Sequence, residues 1–357
     1  MVLQILLTLL LGGLAFRWGM RGGQVMVRQG ATAQDLFKGK EAVSLLAIGL
    51  YIGLLVVVLN VPQMPMFPLE WRVYGMQITW TLMRVFLLGF CGVAWWICHK
   101  TAPRQVMGVI LVGLLGLGSF TVAEGYFLAP IHGELVNHLQ PNGVFRQASM
   151  SSCAPAALAT ILRRWDIDAT EVSAAQLAGT SRLGTSMPQL IAAARGFGMD
   201  GVELSPSWEQ IRRINRPGIL SVWLVDGVRK LPHAVALLGM QSDRVAIGDP
   251  ARGKIYLLNQ AEFQEIWRRQ YLPIFRVGED QLSADQAIEA LTRQGFLTPP
   301  DRGLSAGIRR FQTAIGLPIT GALDPITSLS LSGPSLEQVP TLQNQIHWPH
   351  LNSLPSR

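Results

Sequence analysis

Residues Phe145–Trp165 read FRQASMSSCAPAALATILRRW. From Ala154 onward Ala157, Leu158, Ile161, Leu162 and Trp165 recur at helical spacing, and Pro155 suits a first-turn position where no N–H is needed. Cys153 therefore stands at a helix start. A free cysteine there packs as a small hydrophobe unless its surroundings give it other work. Outward along the chain, a second helix is expected over Glu171–Ala178, ended by Gly179, and a third over Met187–Arg195, ended by GFG. The period then changes. GILSVWLVD, HAVALLGM, RVAIGDP and KIYLLN are short β-prone runs punctuated by Gly, Asp, Asn and Pro, as in an antiparallel sheet. AEFQEIWRRQY returns to helix, with Phe263, Ile266 and Trp267 on one side. Helices first and sheet afterwards make residues 143–276 an α+β domain.

Thiol-protease chemistry needs a thiolate, a base for its proton, a group that orients the base, and donors for the oxyanion. The chain offers one of each. The N–H groups and dipole at a helix start favour a negative sulfur at Cys153. His233 is expected to open the strand HAVALLGM and Asp249 to close the next, RVAIGD, so neighbouring strands set imidazole beside carboxylate. Gln147, six residues before the cysteine, can turn its amide N–H toward the carbonyl oxygen under attack.

In these residues the chain resembles the C39 peptidases, papain-like thiol proteases best known as the leader-cleaving domains of bacteriocin exporters. That family's pattern is a Gln six residues before a Cys-Gly-Pro-Ala helix start, then a His at a strand, then Asp-Pro after the following strand. Here it is matched by Gln147, CAPA at 153–156, PHAVAL around His233 and GDPARGKIYLLNQAEFQEIW after Ile247; GTSMPQLIAAARGFGM is also similar. The resemblance covers all of 143–276 and implies catalytic roles for Cys153, His233, Asp249 and Gln147, a polypeptide substrate, and no metal or other cofactor. It does not carry over a double-glycine leader, because the exporter peptidases work on the cytoplasmic side beside an ATPase. One position departs from the pattern: Ala154 stands where the family has Gly, and its methyl is expected to crowd the approaching peptide or shift the oxyanion donor.

Beyond RVGEDQ the composition shifts, and residues 277–331 read as a small all-α domain. ALTRQGF and AGIRRFQTAIGLPITGALDPIT resemble the helical peptidoglycan-binding domain, through Leu291, Gly295, Phe296, Phe311, Gln312, Gly316, Leu317, Gly321 and Thr327. The pairing with a C39-like domain is similar to the periplasmic region of the type II secretion assembly ATPase, as is INRPGILSVWLVDG with AEFQEIWRRQYLPIF. The chain has no Walker A pattern, so that half is missing and no nucleotide is expected. A rival to the peptidase is thus an inactive scaffold tying a membrane or secretion complex to the wall. The tail from Ser332, rich in Pro, Ser, Gln and Asn, is expected to be disordered.

The first 130 residues belong to another solvent. Four spans are expected, Val2–Phe16, Ala42–Val61, Ile78–Cys98 and Gln105–Ala129, followed by a linker over 131–142. The first is short, and the absence of leading positive charge makes it a retained anchor instead of a signal peptide. Residues 1–130 hold nine Lys/Arg against four Asp/Glu, and 131–357 hold twenty-one against nineteen. Basic loops at 17–41 and 99–104 are then cytoplasmic, which sets the chain in the bacterial inner membrane as a multi-pass protein with everything from about residue 131 in the periplasm or exterior. The near-neutral soluble part has no basic stripe for nucleic acid. Cys91 and Cys98 fall in the third expected span, leaving Cys153 without a disulfide partner in the soluble part. Arg84 and Glu124 lie within the third and fourth expected spans, where they either pair across two helices or snorkel separately to the interface. Membrane lipid, and a membrane protein docked on the spans, complete the expected partners.

Overall fold

The computed structural model describes residues 2–34, 49, 52, 53, 56, 67–226, 229–297 and 303–343. The chain forms two compact units, Met1–Ala129 and Pro130–Arg357.

Among the described residues of the first unit three helices, α1 (Val2–Arg28), α2 (Gly75–Thr101) and α3 (Val106–Phe127), are long and apolar enough to cross a bilayer. The first runs well past Phe16, so Arg17 and Arg21 are helical and the basic loop begins only after Arg28. The expected span at 42–61 lies outside the described residues. Glycine lets α1 and α2 touch backbone to backbone: a Cβ at Gly19 would stand 2.1 Å from the Gly89 carbonyl oxygen, and one at Gly92 2.1 Å from that of Phe16. Such small-residue seams are how helices associate where burial from water supplies no drive.

Arg84 of α2 forms an ion pair with Glu124 of α3, and Gln4 of α1 donates from Nε2 to the other carboxylate oxygen at 2.6 Å. Of the two sequence readings, pairing is the one realised, and it ties all three helices. In detergent, Arg84→Ala and Glu124→Ala are each expected to destabilise the helices, with the double variant falling short of the sum by roughly 0.5–3 kcal/mol. Strict additivity in denaturant unfolding would contradict the coupling.

The second unit is built on a six-stranded antiparallel sheet. Its strands are β3 (Met199–Gly201), β4 (Gly218–Asp226), β5 (Arg229–Met240), β6 (Arg244–Asp249), β7 (Lys254–Asn259) and β8 (Trp267–Arg276), in the order β3-β8-β4-β5-β6-β7. A short hairpin, β1 (His138–Leu139) and β2 (Phe145–Arg146), precedes the helices α4 (Cys153–Arg163), α5 (Glu171–Ala178) and α6 (Met187–Gly196). Every residue from Ala154 to Leu162 is buried. Helix α4 packs on β5 and β4 and against α5 and α6. An alanine-rich helix, apolar all round, suits that enclosed position. Gly179 ends α5 at φ +61°, as its place in the sequence anticipates.

Two expectations fail in the sheet. His233 does not open its strand, since β5 begins at Arg229. The expected helix over AEFQEIWRRQY stops early: α8 (Gln260–Ile266) gives way at Trp267 to β8. Strand β8 lies between β3 and β4 and buries Tyr271, Leu272, Ile274 and Phe275. Burial of that central strand outweighs the local helical spacing.

The C-terminal part contains α9 (Ala284–Arg293), α10 (Leu304–Ala314) and α11 (Pro325–Ser332) around Ala287, Leu291, Ile308, Phe311 and Leu331. Gln312 is fully buried; its Nε2 donates to the Thr320 and Thr327 hydroxyls and the Ala322 carbonyl, and its Oε1 accepts the Gly321 N–H. This glutamine folds the Pro318–Thr327 loop onto α10. The boundary at 276/277 is bridged. Leu329 and Leu342 share a core with Trp208, Ile211 and Ile214 of α7 (Trp208–Ile214), and Gln210 of α7 donates to the carbonyls of Ile315 and Gly316, both at 3.0 Å. The disorder expected from Ser332 onward does not hold for residues 332–343. Leu342 is fully buried, and its carbonyl accepts the Met240 N–H of β5 at 2.9 Å. Residues 344–357 lie outside the described set.

Candidate active site

Cys153 is the first residue of α4, and no side chain caps that helix start. Ser152, the residue before it, turns its hydroxyl back to its own loop, accepting the Ser149 N–H at 3.0 Å and donating to the Ser149 carbonyl at 2.9 Å. The backbone N–H groups of Ala154 and Ala234 point at the Cys153 sulfur, and the His233 ring is in hydrogen-bonding reach of it. His233 Nε2 faces Asp249 Oδ1 at 2.7 Å, which leaves Nδ1 for the thiol. Asp249 also accepts the Ala251 N–H at 2.9 Å. The His233 and Asp249 side chains are 5% and 8% exposed. The structure therefore brings together Cys153, His233 and Asp249, from a helix start and two adjacent strands.

Burial raises the Cys153 thiol, but the His233 hydrogen bond and charge, with the two backbone N–H groups, outweigh it, so the pKa is lowered. Burial likewise works against a charged His233. Its hydrogen bonds and charge interactions with Asp249 and Cys153 prevail, and the imidazole is raised to about 9. Each displacement favours the charged form of one group beside the other.

Gln147 is fixed by its backbone N–H, which donates to the Pro250 carbonyl at 2.8 Å. The Asp-Pro step thus does two things: Asp249 orients the histidine, and Pro250 fastens the loop that bears the glutamine. One N–H of the Gln147 side-chain amide is spent on the Ser149 carbonyl at 2.8 Å. Its second N–H remains for an oxyanion. A polar cavity of ≈ 280 Å³, lined by His138, Gln140, Arg146, Gln147 and Ala148, adjoins this side of the site.

Ala154 is 3% exposed, so its methyl presents almost no surface to an approaching peptide, and its N–H still reaches the sulfur. The sequence reading also missed a contributor. Glu171, read only as the first residue of α5, sends its carboxylate to the Ala148 N–H at 2.9 Å, underneath the loop between Gln147 and Cys153. No local pattern announces that contact, because it joins segments 23 residues apart.

Comparison with known proteins gives three kinds of match. An uncharacterized protein of Methanothermobacter marburgensis is 36% identical over 114 residues, 31% of this chain and 74% of that protein. One from Methanothermobacter thermautotrophicus is 34% identical over the same shares. Among solved structures, the peptidase domain of Streptococcus ComA, a bi-functional ABC transporter involved in quorum sensing, is 22% identical with a TM-score of 0.33, covering 37% of this chain and 96% of that one. A double glycine motif protease from an AMS/PCAT transporter, in complex with its leader peptide, is 19% identical with a TM-score of 0.33, covering 40% and 99%. A periplasmic domain of the EpsAB fusion protein of the Vibrio vulnificus type II secretion system is 12% identical with a TM-score of 0.30, covering 54% and 82%. The model of the Peptidase C39 family matches residues 142–276, the segment holding Gln147, Cys153, His233 and Asp249. The chain thus carries a domain of the Peptidase C39 family, a family of cysteine peptidases.

Proposed function

We propose that this protein is a membrane-anchored cysteine endopeptidase that cleaves a polypeptide on the periplasmic or exterior face of the bacterial inner membrane, close to the cell wall. The observation that carries the reading is the continuous chain of contacts from the Cys153 sulfur through His233 to Asp249. The Cys153 thiolate attacks a peptide carbonyl, forming a C–S bond and an oxyanion that the free N–H of Gln147 and a backbone N–H at the start of α4 stabilise. Protonated His233 gives its proton to the leaving amine as the C–N bond breaks. Water then loses a proton to His233 and attacks the thioester, and the C–S bond breaks to release the acid and restore the thiolate. Asp249 keeps the Nε2–H end of the ring occupied, so that Nδ1 faces the sulfur throughout.

Three apolar helices support membrane anchoring. Basic residues between and beside the spans support the outward placement of residues from about 131 onward. The peptidoglycan-binding-like residues at 277–331 support a wall contact. Leu291, Phe311 and Gln312 are buried there and serve the fold, so a wall ligand would meet the exposed loops instead. A thiol-directed peptide probe is expected to label the wild-type protein under reducing conditions and to leave Cys153→Ala unlabelled, while the full chain in detergent sediments with insoluble sacculi. An unlabelled, folded wild type would favour the scaffold reading. Full recovery in the supernatant would remove the wall contact.

A further inference from the structure

The carboxyl of Glu171 is 0% exposed, yet it lies behind a cleft that works on a solvent-borne peptide. One oxygen accepts the Ala148 N–H at 2.9 Å, and the Ser152 hydroxyl lies within its reach. The other oxygen is buried with no hydrogen-bond partner among the described residues. His138 of the β1–β2 hairpin is the ionisable group that bears on it electrostatically.

Ala148 follows Gln147, and Ser152 precedes Cys153. Glu171 therefore holds the Gln147 end of the short loop between the oxyanion donor and the nucleophile, and its carboxyl lies near the Cys153 end. That loop is also held by the Gln147 N–H on Pro250, the Gln147 side-chain amide on the Ser149 carbonyl, the Ser149–Ser152 turn and the Ser151 hydroxyl on the Arg182 carbonyl. A buried carboxyl is costly, and burial raises its pKa despite the Ala148 bond. An apolar residue at the first position of α5 would avoid that cost, but would leave the Ala148 N–H without an acceptor and the loop free to shift.

We propose that Glu171 is a positioning residue of the peptidase site, whose buried carboxyl holds the 147–152 loop so that the Gln147 amide sits where the oxyanion forms. The proposal rests on the peptidase reading above. Glu171 touches neither substrate nor sulfur; it acts through Gln147.

The test is a kinetic double-mutant cycle on the full chain, using a peptide that the wild type cleaves. Glu171→Ala is expected to lower kcat about 10- to 100-fold with little change in KM, part of the roughly 10²- to 10³-fold loss that follows removal of an oxyanion donor. Glu171→Gln keeps an acceptor for Ala148 and is expected to stay within a few-fold of wild type. In a Gln147→Ala background, Glu171→Ala is expected to add almost nothing, because the group it positions is gone. Alkylation of Cys153 is expected to keep its wild-type pH profile in Glu171→Ala. Equal losses in both backgrounds, or a kcat unchanged in Glu171→Ala, would overturn the positioning role. If Glu171→Ala fails to fold, Glu171→Gln decides alone: a loss as large as that of Gln147→Ala refutes the proposal, and near-wild-type kcat supports it. A wild type that cleaves no peptide and resists the thiol probe refutes the peptidase reading itself.

Discussion

Cys153→Ala is expected to abolish peptide cleavage, and His233→Ala to change how Cys153 reacts with pH. Loss of a nucleophile in a triad that acts as a unit costs roughly 10⁶-fold in kcat. The histidine variant tests the physical origin of the thiolate. In the wild type the thiol is lowered by His233 and two backbone N–H groups, while the imidazole is raised to about 9. The ion pair therefore exists above the first pKa and below the second. Alkylation of Cys153 by iodoacetamide is expected to rise at lower pH than in His233→Ala, because His233 lowers the thiol. Without His233, burial is left opposing the N–H groups alone and the thiol rises. Its alkylation then climbs about tenfold per pH unit, as for any thiol titrated below its pKa. Cleavage adds an alkaline limit near 9, where His233 loses the proton owed to the leaving amine. Asp249→Asn weakens the hold on that proton, so the limit is expected to move downward. A wild-type alkylation profile that coincides with that of His233→Ala would show that His233 does not lower the thiol.

The parts of this site that could be read from the chain are those written in local patterns. Cys153 begins a helix because CAPAALATIL has helical spacing with proline in the first turn, and Asp249 ends a strand because RVAIGD alternates and then meets proline. His233 meets Asp249 as expected although its strand begins earlier, since the pairing of β5 with β6 needs only adjacency. What escaped the sequence depends on contacts between distant segments. Strand β8 takes residues with helical spacing because its place in the sheet buries four of them. Leu342 sits in a tail of disorder-like composition, yet it enters a pocket made by α7 and β5 and is fixed there by Asn215, whose Oδ1 accepts the Leu342 N–H at 3.0 Å. Glu171 belongs to the same class. A residue's own neighbours in the chain say little about which remote N–H it will satisfy.

Arg216→Ala is expected to be the most destabilising single change outside the site and to loosen the C-terminal helices from the peptidase domain. Arg216 is 1% exposed, and its guanidinium uses donors in three directions. Nε and Nη2 hold Glu279 at 3.0 and 2.9 Å, Nη1 donates to the carbonyls of Ile214 and Leu329 at 3.1 and 3.2 Å, and Nη2 reaches the Ser332 hydroxyl at 3.1 Å. One side chain thus joins the end of α7, the segment after β8 and the end of α11. Truncation would strand the buried Ile214 carbonyl and leave the half-buried Glu279 carboxylate without its cation, for a loss of about 2–5 kcal/mol, while the Leu329 carbonyl keeps the Gly333 N–H and the Ser332 hydroxyl. Arg216→Lys is expected to recover little, because a single ammonium cannot serve a fork of donors aimed at separate acceptors. The Cys153 alkylation profile should remain that of wild type at temperatures where the variant is folded, since none of these contacts reaches the sulfur. Thermal unfolding of the full chain in detergent, with limited proteolysis after residue 276, reads both effects. If Arg216→Ala melts with the wild type and resists cleavage there, the helices are held without it, by the shared apolar core of Trp208, Ile211, Leu329 and Leu342 and the hydrogen bonds of Gln210 and Asn215. The expected result is the opposite: the apolar core binds the helices, and the arginine fixes the angle at which they sit.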